Sequence, residues 1–394
     1  MSDAARLAVA RGLRGFGDGW LSVVLPSYLL GLGLSSVQVG AIATSTLLGS
    51  ALLTLAVGLA AGRFAPRQVL FAACGLMAAT GLGFAGLSGF GVLLVVAFVG
   101  TLNPTAGDVS VFLPTEQALL AEGGDVRERT RRFARYSVAG GLASGVGSLA
   151  AGLPEWLSAR SGVALESALR GVFVGYALLA VALVALYLGL GQAAARPAAS
   201  VARAPLARSR GVVLRLTALF ALDSFGGGFA VQSLLALWLH QRFALSLAEA
   251  GTFFFASSSA SAFSQFLSPW LASRIGLIPT MVYTHLPANA LLVAAAFAPS
   301  APLALGCLIA RGALSQMDVP ARQSYVMAVV PPEERAAAAS VTNVPRSLAS
   351  ALAPLLAGAM LQHSSFGWPL VAAGLLKIVY DLLLLWQFRR VNPV

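Results

Sequence analysis

The sequence predicts an all-α membrane protein with twelve transmembrane helices in two pseudo-symmetric six-helix bundles. Three observations predict it. Charge is scarce, apolar runs alternate with arginine-bearing loops, and the two halves of the chain resemble each other. Of 394 residues, 58% are hydrophobic and only 10% charged, and mean hydropathy is +0.81. Soluble domains carry about 25% charged residues. A surface facing water cannot be built from so few, so lipid is the main solvent. A helix needs roughly 20 mostly apolar residues to cross the ~30 Å hydrocarbon layer. The chain therefore fits about a dozen crossings and leaves no room for a sizeable soluble domain.

The apolar runs fall near 15–34, 38–61, 68–88, 91–121, 132–153 and 167–190, then near 211–239, 246–272, 279–299, 302–330, 336–361 and 366–388. Between the two sets lies QAAARPAASVARAPLARSR, an Ala/Pro/Arg-rich stretch with no apolar period. It reads as a flexible linker, so the expected bundles are 1–190 and 211–394, joined by 191–210. PEWLSARSGVALES, at 154–167, reads as a short interfacial helix with Trp156 at headgroup depth. Arginine asymmetry orients the chain. Arg63, Arg67, Arg127, Arg129, Arg131, Arg132, Arg274 and Arg335 fall in alternate loops, together with the linker arginines and those at both ends. Both termini and the linker are therefore expected on the cytoplasmic side, which an even number of crossings satisfies.

The net charge of +11 would suggest nucleic acid in a soluble chain. Here the arginines sit beside apolar runs, where they act as topology signals and meet lipid headgroups. Lys377 is the only lysine. That bias suits a GC-rich bacterial gene and places the protein in the bacterial cytoplasmic membrane. Cys74 and Cys307 lie inside apolar runs without metal-ligand spacing, so neither a metal nor a cofactor is expected. Met1–Arg14 has no signal-peptide cleavage pattern. The sequence contains no H-E-x-x-H, no metal cluster and no Ser/His arrangement at plausible spacing; an intramembrane enzyme is not the expectation.

The halves align at an offset near 210 residues. GFGDGW at 15–20 matches SFGGGF at 224–229, and GLAAGRFAPRQVL at 58–70 matches PWLASRIGLIPTM at 269–281. TAGDVSVFLPTEQ at 105–117 matches SQMDVPARQ at 315–323, placing Asp108 over Asp318 and Glu116 over Arg322. Glu128-Arg129 matches Glu334-Arg335. Repeated six-helix halves are a common plan for secondary transporters, with the solute site between the halves near the midplane. The segment after the second run resembles the loop signature of the major facilitator superfamily, G-x-x-x-D-R-x-G-R-R. Gly58, Arg63 and Arg67 match it, while Gly62 stands at the acidic position and Pro66 also departs. In that family the acidic residue ties the second helix to the facing half. The family's drug-antiporter signature, G-x-x-x-G-P, meets Gly141 and Gly145 but finds Val146 in place of proline.

A charge at the bilayer centre costs about 2.5–3.5 kcal/mol, so intramembrane charges need a use or a partner. Arg14 and Asp18 lie four apart in the first run, and Asp108 and Glu116 in the fourth. Asp223 is in the seventh, and Arg311, Asp318 and Arg322 form a stripe in the tenth, spaced by seven and four. Arg346 sits beside Asn343 and Pro345 in the eleventh, and Lys377 and Asp381 lie four apart in the twelfth. The resemblance implies that the first, fourth, seventh and tenth helices line a central cavity. The candidate solute-binding residues are therefore Arg14, Asp18, Asp108, Arg311, Asp318, Arg322, Asn343 and Arg346. Arg311, Arg322 and Arg346 suit an anion, because guanidinium matches carboxylate or phosphate bidentately. Asp18, Asp108, Glu116 and Asp318 are the proton-coupling candidates, since desolvation favours a protonated carboxyl. Arg63, Arg67, Glu116, Arg274 and Arg322 are the gating or inter-bundle candidates, with Glu116 and Arg322 as an ion pair between halves. Lys377–Asp381 reads as a self-neutralising pair, an option also open to Arg14–Asp18. His285 reads as a hydrogen-bonded helix residue.

The expected function is alternating-access transport of a small polar, anionic solute, with a proton as the candidate coupling ion. Efflux of hydrophobic or cationic drugs, served by Asp18 and Asp108, is the alternative. The expected partners are the solute, protons and membrane lipid but no nucleic acid, and the expected form is a monomer.

Overall fold

A computed structural model describes residues 1–60, 63–105, 110–121, 126–196 and 209–388. The described chain is helical. The first half holds α1 (Asp3–Gly31), α2 (Ser36–Leu59), α3 (Pro66–Gly86), α4 (Phe90–Val99), α5 (Leu113–Ala121), α6 (Val126–Leu149), α7 (Leu153–Ser161) and α8 (Leu165–Leu188). The second holds α9 (Arg210–Gly228), α10 (Gln232–Phe243), α11 (Leu247–Ile275), α12 (Leu277–Phe297), α13 (Ala301–Ser315), α14 (Asp318–Ala328), α15 (Arg335–His363) and α16 (Trp368–Phe388).

Seven segments are long and apolar enough to cross a membrane: α2, α3, α8, α9 with α10, α12, the Val341–His363 part of α15, and α16. The remaining predicted crossings are the ones that hydropathy reads poorly, because they carry charge or break. α1 begins at Asp3, not near 15, capped by the Ser2 hydroxyl, which accepts from Ala5 N at 3.3 Å. Its charged early turns are part of the bundle: Arg11 and Arg14 are both buried.

Three predicted single runs are each two helices. In the 91–121 run α4 ends at Val99 and α5 begins at Leu113; the 302–330 run breaks between Ser315 and Asp318, and the 211–239 run between Gly228 and Gln232. Gly100, Pro104 and Pro114 flank the first break, Pro320 the second, and Gly226 to Gly228 the third. Glycine lowers the cost of leaving the helix, and proline removes a helical donor. Bared backbone is tolerated at membrane depth only where protein or a cavity satisfies it. Here Thr101 N donates to Thr80 Oγ1 at 3.2 Å, and Ser233 N to the Pro104 carbonyl at 3.0 Å. The first two breaks fall at repeat-related positions. The 154–167 segment holds the short helix α7, which ends at Ser161, with Trp156 exposed and the Arg160 guanidinium 5.9 Å from its ring centre.

Glycines set the packing in repeat-related fashion. A Cβ on Gly19 would strike the Ser144 carbonyl, bringing α1 onto α6; one on Gly228 would strike the Ser350 carbonyl, bringing α9 onto α15. Between the halves, Gly40 of α2 meets Pro354 and Gly358 of α15, and Gly251 of α11 meets Ser148 of α6. Small residues let backbones approach closely where lipid supplies no hydrophobic drive.

These inter-half contacts lie at the end opposite the N-terminus. Among the described residues, the hydrogen bonds that join the halves gather at that end and at mid-depth. Ser36 N donates to Gln362 Oε1 at 2.9 Å, Leu355 N to Thr44 Oγ1 at 3.0 Å, and Leu247 N to Glu155 Oε1 at 3.0 Å. Gln232 Nε2 donates to Ser148 Oγ at 3.1 Å, and at mid-depth Ser233 N donates to the Pro104 carbonyl at 3.0 Å. The halves thus converge at one end, and α2 with α15 and α6 with α11 form the two seams.

Gly251→Val tests the seam. Overpacking there should cost about 1–3 kcal/mol and lower the melting temperature in detergent. Gly31→Ala, where nothing lies within 4 Å of a new Cβ, should leave it unchanged.

Candidate solute site and its charge network

A cavity of about 580 Å³ lies between the halves, walled by α6, α9 with α10, α11, and α13 with α14. That is an ordinary size for a small-molecule site. Arg311 of α13 is the sole ionisable lining residue among the described ones. Its Nε is buried without a hydrogen-bond partner, and among the described residues no ion pair holds the side chain. Gly312 explains how α13 comes so close to α11. A Cβ there would lie 2.8 Å from Ser257 Oγ, and Ser261 Oγ donates to the Gly312 carbonyl at 3.0 Å.

Two networks of intramembrane charge neutralise themselves, one inside each half. In the first half, the Arg14 guanidinium is paired with the Glu116 carboxylate. Arg14 also donates to Ser110 Oγ and Tyr136 OH, both at 3.2 Å, and lies 4.5 Å over the Phe112 ring. Glu116 accepts from Tyr136 on one oxygen and from Tyr187 at 2.5 Å on the other. The cluster draws on α1, α5, α6 and α8. Both charged groups are buried, and Glu116 has a donor on each oxygen, so the cost of desolvation is met by charge and hydrogen bonds together.

In the second half, Asp223 of α9 sits at the centre. Lys377 Nζ is 2.6 Å from Asp223 Oδ1, and Arg322 Nη1 is 3.4 Å from both Asp223 Oδ2 and Asp318 Oδ2. His285 bridges two carboxylates: Nε2 is 3.9 Å from Asp223 and Nδ1 is 2.9 Å from Asp381. Asn289 Nδ2 donates to the other Asp381 oxygen at 2.9 Å. Arg346 of α15 donates to Ser224 Oγ at 3.1 Å and to Asn343 Oδ1 at 3.3 Å.

Several expectations are corrected by this geometry. Glu116 and Arg322 do not bridge the halves; each finds its partner within its own half. Lys377 and Asp381 do not neutralise each other, because Lys377 reaches across to α9 and Asp381 to α12. Arg14 pairs with Glu116 on α5, not with Asp18, one turn away on its own helix. Asp18 itself is buried. Asp108 lies outside the described residues. Of the gating candidates, Arg63 is exposed, Arg67 donates to the Leu190 and Gly191 carbonyls within the first half, and Arg274 lies 4.8 Å over the Trp270 ring. Tyr136, Tyr187 and Asn289 join the networks without a signal in the sequence, since neutral polar residues in apolar runs are common. His285, read as hydrogen-bonded, is, and its partner is a carboxylate.

The two central ion pairs are related by the repeat. Arg14 directly precedes GFGDGW and Asp223 directly precedes SFGGGF, while Glu116 aligns with Arg322. The same inter-helix pair is made twice, with its charges exchanged.

A match to the Major Facilitator Superfamily model spans residues 7–310 and 286–394. The chain belongs to this superfamily. It is similar to an uncharacterized membrane protein of Saccharomyces cerevisiae, 23% identical over 414 aligned positions that cover 96% of this chain and 92% of the yeast protein. Among solved superfamily folds, the nucleoside transporter NupG superposes with a TM-score of 0.75 at 16% identity, covering 99% of this chain and all of NupG. The inward-open xylose transporter XylE from E. coli superposes with 0.73 at 16% identity, covering 99% of this chain and 97% of XylE. An inward-facing bacterial homologue of the lysosomal transporter Spinster gives 0.71 at 16% identity, covering 97% of this chain and 94% of the homologue. These likenesses establish the fold: the chain is a multi-pass membrane protein of the superfamily.

Removing one member of a buried pair leaves the other uncompensated, at about 3–5 kcal/mol. Glu116→Gln should therefore lower stability by that order. Lys377→Met should do the same, and Asp223→Asn on top of it should recover part of the loss. Melting curves of the single and double variants in detergent measure the coupling.

Proposed function

We propose that this protein is a secondary transporter that carries a small polar, anionic solute across the bacterial cytoplasmic membrane by alternating access. The observation that carries the reading is Arg311, an unpartnered guanidinium in the cavity between the halves. Elsewhere in the described membrane interior, arginines such as Arg14 and Arg322 have carboxylates. A guanidinium kept without one at depth is costly unless a transient anion completes it. The superfamily neighbours move small solutes, nucleosides for NupG and xylose for XylE, which supports a small-molecule cargo here.

The bundles 1–190 and 211–394, linked by 191–210, are the moving bodies of this proposal. With both termini cytoplasmic, the seams close the outer end and leave the solute site reachable from the cytoplasm. Arg14 and Glu116 act as scaffold, and Arg346 with Asn343 stands on α15 beside Ser224. Proton coupling fits Asp318 best, since Glu116 is saturated by Arg14, Tyr136 and Tyr187, whereas Asp318 shares Arg322 with Asp223 at 3.4 Å. Efflux of lipophilic cations finds less support, as the described cavity lining has no carboxylate.

The test is a thermal-shift panel of carboxylates, phosphates, neutral sugars and lipophilic cations on purified protein. A ligand present at 100 times its Kd stabilises the folded state by about 2.7 kcal/mol. Anions should raise the melting temperature, Arg311→Gln should abolish that rise, and Arg160→Gln should leave it intact. Because Arg311 has no ion-pair partner to strand, Arg311→Gln should melt no lower than the parent without ligand. Stabilisation by lipophilic cations alone, or an anion shift that survives Arg311→Gln, would overturn the reading.

A further inference from the structure

The cavity holds more than its arginine. Seven neutral polar side chains line it with no hydrogen-bond partner among the described residues: Ser137, Ser144, Ser257, Ser258, Ser315, Gln265 and Gln316. A helical Ser or Thr hydroxyl ordinarily bonds back to a carbonyl one turn earlier. Thr46, Ser148, Thr217, Thr280, Thr284 and Thr342 do so here, at 2.7–3.1 Å. The cavity serines leave their donors unspent, and each glutamine brings an amide that can both donate and accept.

Resting on the anion-transport reading, we infer that the solute is a hydroxyl-rich monocarboxylate, of the sugar-acid class. The carboxylate takes Arg311, and the chain of hydroxyls takes the serines and glutamines. The single described charge sets the valence. A second negative charge, as on a dicarboxylate or on a phosphate monoester, whose second pKa is about 6, would enter a weakly polar site uncompensated. The hydroxyls set the polarity: a carboxylate with a bare alkyl chain would strip water from seven polar groups and return nothing. The donors also come from both halves. Ser137 is on α6 of the first half, whereas Arg311, Ser257 and Ser258 are on α13 and α11 of the second. A solute reaching from Arg311 to Ser137 would connect the two bodies that must move.

The experiment compares gluconate, glucose, hexanoate, adipate and glucose 6-phosphate on the purified full-length protein, by calorimetry with thermal shift as a second readout. Gluconate should bind at least about tenfold more tightly than hexanoate, adipate or glucose 6-phosphate. Ser137→Ala/Ser257→Ala should shrink the gluconate-to-hexanoate ratio while an Arg311-dependent anion signal persists. Arg311→Gln should erase the preference for gluconate over glucose. Unliganded melting curves confirm that the variants fold. If adipate, glucose 6-phosphate or hexanoate binds as tightly as gluconate and that binding needs Arg311, the sugar-acid inference is wrong and the anion reading survives. If none of these anions binds in an Arg311-dependent way, both fall.

Discussion

A charge inside a membrane has no water to retreat to, and the structure is organised around that constraint. Lipid offers neither dielectric nor hydrogen bonds, so each buried ion must find its counterion on another helix. Arg14 and Glu116 fasten α1 to α5, with tyrosines from α6 and α8 closing the shell. Asp223, Lys377, Arg322, Asp318, His285 and Asp381 fasten α9, α12, α14 and α16. These pairs lie within halves, not across the gap. Among the described residues, that leaves the halves joined by glycine contacts and by hydrogen bonds that are mostly between neutral groups, which can part at far lower cost than a desolvated ion pair.

The repeat shows how the same mechanical need was met twice. Arg14–Glu116 and Asp223–Arg322 occupy equivalent places with opposite polarity, and Gly19 and Gly228 make equivalent close approaches. The solutions then diverge. The first-half pair is closed, both carboxylate oxygens having donors. The second is open, one carboxylate sharing two cations and a histidine, and one arginine sharing two carboxylates. Arg311, without an ion pair among the described residues, belongs to the open half and faces the cavity.

Much of this was legible in the chain. Runs of apolar residues gave the crossings, because a spanning helix must be apolar over its length. The offset alignment gave the twofold plan, and the stripe Arg311, Asp318, Arg322 pointed to the helix that supplies the unpaired arginine. Three things were not legible. The end of α4 at Val99 and the break at 316–317 hide inside runs that remain apolar on average. The true start of α1 hides behind arginines that look like loop residues until their burial is known. The serines of the cavity carry no signal of their own in the chain, since a small side chain serves packing and solute equally well.

Composition and periodicity therefore determined the solvent, the number of crossings, the repeat and the inventory of intramembrane charges, all of which follow from what one helix requires of lipid. Only the tertiary structure decided which charges pair. Spacing of four suggested Arg14–Asp18 and Lys377–Asp381, yet the partners came from helices about 100 or more residues away in sequence for Arg14 and Lys377. Sequence spacing reports only neighbours on one helix, whereas a counterion is chosen by the packing of several. For the same reason Arg311 could be seen in the sequence as a charge, but only the packed bundle shows that it has no ion-pair partner among the described residues.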